Sequence, residues 1–541
     1  MIQPNTNRKA QYGVLLVALA ATFLPVVFIE SGVLNYTHGV FIYPLDDVFI
    51  HMELARHLAF DATWGINKNE FGSASSSPLY TLLLSLLFRM FSANTAIPFA
   101  VNCIAAFLLL YALQKWLQKQ QVNSGAQVVI LLLAIFLAPL PVLIISGMEH
   151  TLQCLFSFLF LVHFSNWMAL PNHSDKAGIN KTAPIIIYGA LVVAIRYEGL
   201  FLIAIACLIL LWYKRWRLFF QLGLWSVLPV VIFGIVSVSN GSYFLPNSVL
   251  VKSDSIVFTI KGLMHFAGNV LIDKLTIARA GITLLATQRL LLILPIVLVI
   301  YLKIVRQKTV YRFMLASLFL CTLLHLAFAT TGWFYRYEAY LVLSSVLVVS
   351  VVVYQHGRAL VQQSTKFMQL LALSVALFLL FPFALRSAAA FSKAGQACIN
   401  IFDQQYQMGQ FLKRHYNSET FAANDIGAVG FYTQGQVLDL WGLGNIEVAR
   451  SRKGGYWTPP FLDSIARKKK VQLAVVYDSW FDSSLLKKWN KVATWQIQNN
   501  VICGDDLVSF YAVERSAVPL LKLSLQAYQP SLPKSVAVRY Y

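Results

Sequence analysis

A polytopic α-helical membrane protein with a small C-terminal α/β domain is the fold class this sequence predicts. Three observations carry that reading. Of 541 residues, 58% are hydrophobic and only 12% charged, about half the roughly 25% charged share of soluble chains. Apolar segments recur between residues 12 and 388, several long enough to cross a bilayer. From residue 391 the hydropathy falls, and short apolar runs alternate with Gly, Asn, Asp and Trp to residue 541. That length suffices for one small domain.

The formal net charge of +20 fits this class and excludes another. Much of it lies in short loops between apolar segments, where Lys and Arg set membrane topology. No long soluble region carries a basic stripe interleaved with aromatics, so nucleic acid is not an expected partner. Cys103, Cys154, Cys207 and Cys321 lie in or beside apolar segments and read as small buried hydrophobes. Cys398 and Cys503 lie in the polar C-terminal part and could pair if it faces an oxidising compartment. Neither CxxC nor HExxH spacing argues for zinc.

Residues 1–11 are polar, with Arg8 and Lys9, and 12–34 are apolar. No small-x-small cleavage pattern follows, so a retained signal-anchor with its N-terminus inside is expected. Residues 35–77 form a polar loop. It holds Asp46 and Asp47 after Pro44, a helical pattern running to Leu58, then Trp64, Asn67, Asn69 and Glu70. Ser77-Pro78 is a helix start with Pro at the first helical position. Apolar segments follow at 78–91, 95–116, 125–145, 149–168, 183–195, 198–213, 218–238, 283–304, 311–328, 333–354 and 367–388.

The clusters Lys214/Arg215/Arg217 and Lys303/Arg306/Lys308/Arg312 mark the inside. Working outward from them, Ser146-Gly147-Met148-Glu149, Arg196-Tyr197-Glu198, Tyr243 to Ser253 and Gly332 to Glu338 fall on the opposite side, with the C-terminal region. Counting every segment as a crossing conflicts with termini on opposite sides. An early segment, 78–91 or 95–116, therefore does not cross fully, and 11 or 13 spans are expected. The division is 1–390 for the membrane domain and 391–541 for the outer domain. In the latter, 403–416 reads as a helix, Val471 to Tyr477 and Ser509 to Val513 as strands, and Phe421 to Gly444 as strand and turn.

Charges bordering membrane segments are costly and need a reason. Asp46 or Asp47 falls at a helix start, where backbone N–H groups favour the ionised carboxylate. Such a group can act as a general base, or it can merely cap an interfacial helix. Arg196, Lys252 and Arg336 are three cations expected on the same side, suited to a phosphate-bearing lipid. A lipid phosphate leaving group needs its developing charge neutralised. Glu149 and Glu198 can face a sugar or orient those cations. Each motif has a plainer structural use: a hairpin cap at Glu149, a local ion pair at Arg196 and Glu198, a snorkelling Lys252, and an aromatic belt from Trp333 to Tyr337. Their joint placement is the informative part.

Taken in order, these motifs resemble the bacterial multi-spanning glycosyltransferases of the GT-C fold that use polyprenyl-phosphate sugars. The resemblance is closest to the branch of arabinofuranosyltransferases and mannosyltransferase-like proteins. It rests on Asp46-Asp47-Val48-Phe49-Ile50 through Arg56, Ser76-Ser77-Pro78-Leu79-Tyr80, Ser146 to Glu149 and Arg196 to Gly199. It continues at Leu245-Pro246-Asn247-Ser248 with Lys252, Trp333 to Tyr337, Asn424-Asp425-Ile426-Gly427 and Asp439 to Leu443. The chain has Tyr197 where the family often has Pro, and Ser248 where it has Thr; neither change removes a charge.

The resemblance implies a catalytic Asp in the first extracytoplasmic loop, by position Asp46, with Asp47 in support. It implies substrate contacts from Arg56, Glu149, Arg196, Glu198, Asn247, Lys252, Arg336 and Asp425, the last bringing the outer domain over the acceptor cleft. The donor is then a polyprenyl-phosphate sugar, the acceptor a cell-envelope glycan, lipid or protein. The setting is the cytoplasmic (inner) membrane of a bacterium, with the active site and C-terminal domain extracytoplasmic. No cofactor is required, although a divalent metal on Asp46 and Asp47 is compatible with the wider fold. A lipid-linked saccharide flippase is the rival reading. It predicts charges near mid-membrane and two repeated halves, whereas here the charges gather at one interface.

Overall fold

The computed structural model describes residues 8–170, 179–252, 293–305, 309–362 and 365–541. Two bodies share the chain, a helical membrane part and a C-terminal α/β domain. Five helices are long and apolar enough to cross a membrane. They are α1 (Arg8–Tyr36), α4 (Ala96–Lys119), α7 (His150–Met168), α10 (Trp216–Ser239) and α13 (Val310–Phe328). Shorter apolar helices pack among them: α3 (Pro78–Phe91), α5 (Ser124–Leu137), α8 (Ile179–Ile195), α9 (Gly199–Trp212), α12 (Ile293–Ile304) and α14 (Ala339–Gln362). The expected segment 125–145 is broken at Pro139 into α5 and a short α6 (Leu140–Ile145). Pro has no N–H and clashes with the preceding turn. Part of the segment expected at 283–304 lies outside the described residues, as does Ser253.

The loop after α1 folds back as α2 (Asp47–Asp61), which is buried on nearly every side from Val48 to Ala55. Val48, Phe49, Met52 and Ala55 pack with Tyr80, Leu84 and Phe88 of α3, and with Ala390, Ala394 and Ala397 of α15 (Lys366–Ile401). Ala428 and Phe431 of the C-terminal domain join the same cluster. α2 is thus the seam between the two bodies. The boundary expected at residue 390 falls inside α15, which passes through a π-turn at Phe402–Tyr406 into α16 (Gln407–His415).

The C-terminal sheet has the order β2-β1-β3-β5-β4-β6. Its strands are β1 (Thr420–Ala423), β2 (Gln436–Asp439), β3 (Leu473–Val476), β4 (Asn490–Gln496), β5 (Leu507–Ala512) and β6 (Ala537–Tyr540). β1 pairs in parallel with β2 and β3; the remaining pairs are antiparallel. Both faces are covered, so the strands alternate between two cores. Phe421, Leu473, Val475 and Phe510 meet Phe411 of α16 and Leu521 and Leu525 of α21 (Val518–Tyr528). Ala422, Leu438, Ala474 and Val476 meet Val448 of α18 (Ile446–Lys453), Leu462 of α19 (Pro459–Lys468) and Leu485 of α20 (Ser483–Leu486).

Cys398 is fully buried on α15 and Cys503 donates to the Gln405 Oε1 at 3.3 Å. All six cysteines are free thiols, so the pairing open to Cys398 and Cys503 is not made.

Candidate functional site

The carboxylates of the 46–47 pair point into different surroundings. Asp46 occupies the N-cap position of α2 but makes no side-chain bond to its own helix. Its oxygens instead accept from the backbone N–H groups of Gly427 (2.6 Å) and Ala428 (2.7 Å). Those are the first residues of α17 (Gly427–Tyr432), so Asp46 caps a helix from across the domain seam. The approach needs Gly427: a Cβ there would lie 2.1 Å from the Asp46 carbonyl oxygen. Burial, then the nearby charge of Asp425, push the Asp46 carboxyl well up from its ordinary range. Asp425 is raised as well, chiefly by burial, while it accepts from Gln405 (2.9 Å) and the Tyr477 hydroxyl (3.2 Å).

Arg56, expected among the substrate contacts, works at the other end of α17. Its Nη1 donates to the Phe431 carbonyl (2.8 Å) and its Nη2 to the Thr433 carbonyl (3.0 Å) and Glu53 (2.7 Å). An anion at the helix start and a cation at its end both match the helix dipole. α2 therefore grips α17 at both ends.

Asp47 faces the membrane domain. It pairs with Arg336, which also donates to the Tyr337 hydroxyl at 3.1 Å. The Asp47 side chain keeps 24% of its surface exposed; Asp46 as a residue is 9% exposed. Arg336 follows a turn in which Gly332, Phe334 and Tyr335 all have positive φ (93°, 55° and 56°). Left-handed backbone is costly for aromatic residues and concentrates at functional sites. The neighbouring Glu338 secures the turn, bonding the Gly332 N–H (3.1 Å) and pairing with Arg386.

Arg196 sits between two carboxylates. Its Nη1 reaches Glu149 (2.5 Å), while Nε and Nη2 form a fork on Glu198 (3.0 and 2.5 Å). Of the two described guanidiniums here, Arg196 is committed within the protein. Arg336 retains Nε and Nη1, both buried without a hydrogen-bond partner among the described residues. The Tyr337 ring lies under both, 5.2 Å from Arg196 and 4.9 Å from Arg336. Asn247 opens α11 (Asn247–Lys252); its backbone N–H bonds Ser73 (2.9 Å), and its amide nitrogen and oxygen have no partner among the described residues. The Lys252 side chain lies outside the described residues.

The structure thus brings Asp47, Glu149, Arg196, Glu198 and Arg336 into one cluster, and places Asp46, Arg56 and Asp425 in the seam beside it. It adds His51, one turn after Asp47 and so on the same helix face. His51 Nδ1 lies 3.0 Å from Thr81 Oγ1, and Nε2 is 3.8 Å from Glu149. The i, i+4 spacing from Asp47 was the sequence signal for it. Gln405 and Tyr477, which hold Asp425, carry no such signal.

A divalent metal fits these residues poorly. Asp46 is filled by backbone donors and Asp47 is paired with a guanidinium. No group of three His, Cys, Asp or Glu side chains with a metal-holding arrangement occurs among the described residues.

Residues 399–511 match a family model described only as a domain of unknown function, DUF8728. Among curated proteins nothing matches. Two crystal structures of ArnT from Cupriavidus metallidurans are similar across nearly the whole chain. The one bound to undecaprenyl phosphate has a TM-score of 0.51 and 13% identity, covering 93% of this chain and 99% of ArnT. The apo form has a TM-score of 0.51 and 12% identity, covering 94% and 99%. At such identity the likeness shows a shared fold, the GT-C fold expected from the sequence, and nothing of the role.

Proposed function

We propose, from a chain with the GT-C fold, that this protein is a membrane glycosyltransferase that moves a sugar from a polyprenyl-phosphate carrier to an extracytoplasmic cell-envelope acceptor. The observation that carries the reading is Arg336. It is a buried guanidinium with two unpaired donor nitrogens, held beside a carboxylate pair by a strained turn. Such a group matches a phosphate oxygen pair. The bound undecaprenyl phosphate in the ArnT structure gives that phosphate a lipid precedent.

In the reaction, the acceptor hydroxyl oxygen bonds to the anomeric carbon while the bond from that carbon to the phosphate oxygen breaks. The electron pair leaves with the polyprenyl phosphate, and the hydroxyl proton passes to Asp46. A single displacement inverts the anomeric centre. Burial and the Asp425 charge raise the Asp46 carboxyl well above its ordinary range, which makes it a stronger proton acceptor than a solvent-exposed aspartate. Asp47 holds Arg336 in place. Arg336, with Asn247 and Lys252, binds the phosphate; Arg196, Glu149 and Glu198 form the frame around Tyr337 and face the sugar. The cluster sits in the inner membrane's outer leaflet, reached sideways by the lipid.

A second reading exchanges the two carboxylates. Asp47 is the base, favoured by its exposure, and Asp46 is the seam anchor alone. Purified protein supplied with a panel of labelled polyprenyl-phosphate sugars tests both. Glycoside formed in step with donor consumed is the expected result; lipid movement without glycoside sinks the proposal. Asp46→Asn and Asp47→Asn then separate the readings, since replacing the base costs at least about a hundredfold in rate.

A further inference from the structure

His150 is the first residue of α7 and is fully buried. Neither of its ring nitrogens has a hydrogen-bond partner among the described residues. Buried polar groups are nearly always bonded, and an exception calls for an explanation. The ring lies 5.6 Å from that of Tyr337, tilted by 57°. Tyr337 is also the ring that carries both Arg196 and Arg336. His150 is therefore packed where the two guanidiniums converge, within electrostatic reach of both and of His51. The hydroxyl of Thr151, next along α7, is buried and unpartnered too.

Helix geometry adds to this. α7 runs for 19 residues, and Glu149 before it makes no side-chain cap. The first amides of a helix lack intrahelical acceptors, and their end of the dipole favours an anion. An unpaired imidazole, a guanidinium with two unpaired nitrogens and an uncapped helix start thus surround one ring. Of the carboxylates nearby, Glu198 is taken by Arg196 and Asp47 pairs with Arg336, while Glu149 gives Oε1 to Arg196 and keeps Oε2 without a hydrogen-bond partner among the described residues, 3.8 Å from His51 Nε2.

We propose that His150 and the start of α7 form the donor-phosphate subsite with Arg336. The neutral imidazole gives a ring N–H to a non-bridging oxygen of the polyprenyl phosphate. The proposal rests on the glycosyl-transfer reading and assigns a residue which that reading did not use. His150 is a binding group for the phosphate, before and after transfer, and takes no proton from the acceptor.

The test is binding of radiolabelled undecaprenyl phosphate and of undecaprenol to the purified full chain in nanodiscs. His150→Phe keeps a ring against Tyr337 and removes the donor; His150→Gln restores an N–H. A hydrogen bond to a charged group corresponds to about a tenfold to hundredfold effect. His150→Phe is expected to weaken undecaprenyl phosphate by that factor and leave undecaprenol unchanged, with His150→Gln recovering most of the loss. Wild-type affinity for undecaprenyl phosphate in His150→Phe would overturn the assignment alone. A wild-type protein that does not prefer the phosphate to the alcohol overturns the parent reading with it. Should His150→Phe not fold, His150→Leu and His150→Asn take its place in the same two binding assays. Weaker undecaprenyl phosphate with unchanged undecaprenol is expected of His150→Leu and recovery of His150→Asn, and wild-type affinity for undecaprenyl phosphate in His150→Leu sinks the assignment.

Discussion

Glu53 shows how a single side chain can set the pH response of the seam. It is 2% exposed, bonded to Arg56 through Oε1, and its Oε2 has no partner among the described residues. Burial lifts its carboxyl from the ordinary 4.5 to about 7. The folded state then holds a proton that the unfolded state has released, so stability falls as pH rises between those values. The contribution is complete below about 4.5 and lost through about 7. Glu53→Gln removes the titration. Its melting temperature is expected to change less between pH 5 and pH 8 than that of the wild type, as followed by tryptophan fluorescence. Gly427→Ala tests the seam sterically. The added methyl would overlap the Asp46 backbone, and overpacking of this kind costs about 1–3 kcal/mol or more. A variant as stable as wild type in chemical denaturation would show that the approach is not tight in solution.

Elements explain why α17 exists at all. Six residues are too few to hold a helix by propensity. The helix persists because Asp46 and Arg56, ten positions apart on α2, satisfy its first N–H groups and last carbonyls. Arg56→Ala removes the charged donor and leaves buried Glu53 with only His57 Nε2, 3.4 Å from its Oε1, at a cost of roughly 3–5 kcal/mol for breaking a buried pair. Faster amide exchange over residues 427–433, with β1 and β3 unchanged, is the expected signature. In the sheet, Phe411 is fully buried and its ring meets those of Trp495, Phe510 and Tyr528. Phe411→Ala should cost about 3–5 kcal/mol in unfolding of the C-terminal domain, measured by urea titration.

At the scale of the whole molecule, one hydrogen-bonded seam fixes relative topology. Asp46 touches residues 427 and 428, so the first loop and the C-terminal domain lie on one side of the bilayer. Single cysteines introduced in a cysteine-free background near residue 69 and near residue 455 should react alike with an impermeant maleimide in intact spheroplasts. One introduced near residue 214 should not react until the membrane is permeabilised. Labelling of residue 69 without residue 455 would contradict the seam.

The amino-acid order by itself determined the class of the molecule and the location of its elements, because apolar length and Lys/Arg placement are local quantities. The helices read at 78–91 and 198–213 are Pro78–Phe91 and Gly199–Trp212, and the strands read at Val471–Tyr477 and Ser509–Val513 are Leu473–Val476 and Leu507–Ala512, within a residue or two at each end. It also marked the motifs that meet, since charged residues beside membrane segments stand out against an apolar background. What only the tertiary structure decided is how each charge is used. Arg56 and Arg196 both read in sequence as substrate contacts, with a local Arg196–Glu198 pair as the plainer use of the second; in the structure one grips α17, and the other makes that pair and adds Glu149. Arg336 alone of the described three keeps two unpaired nitrogens. The two adjacent aspartates were divided between a trans cap and an ion pair by partners about 380 and 290 residues away. No local pattern encodes such partners, because hydrogen-bond satisfaction in a buried site depends on distance in space, which the chain acquires only by folding.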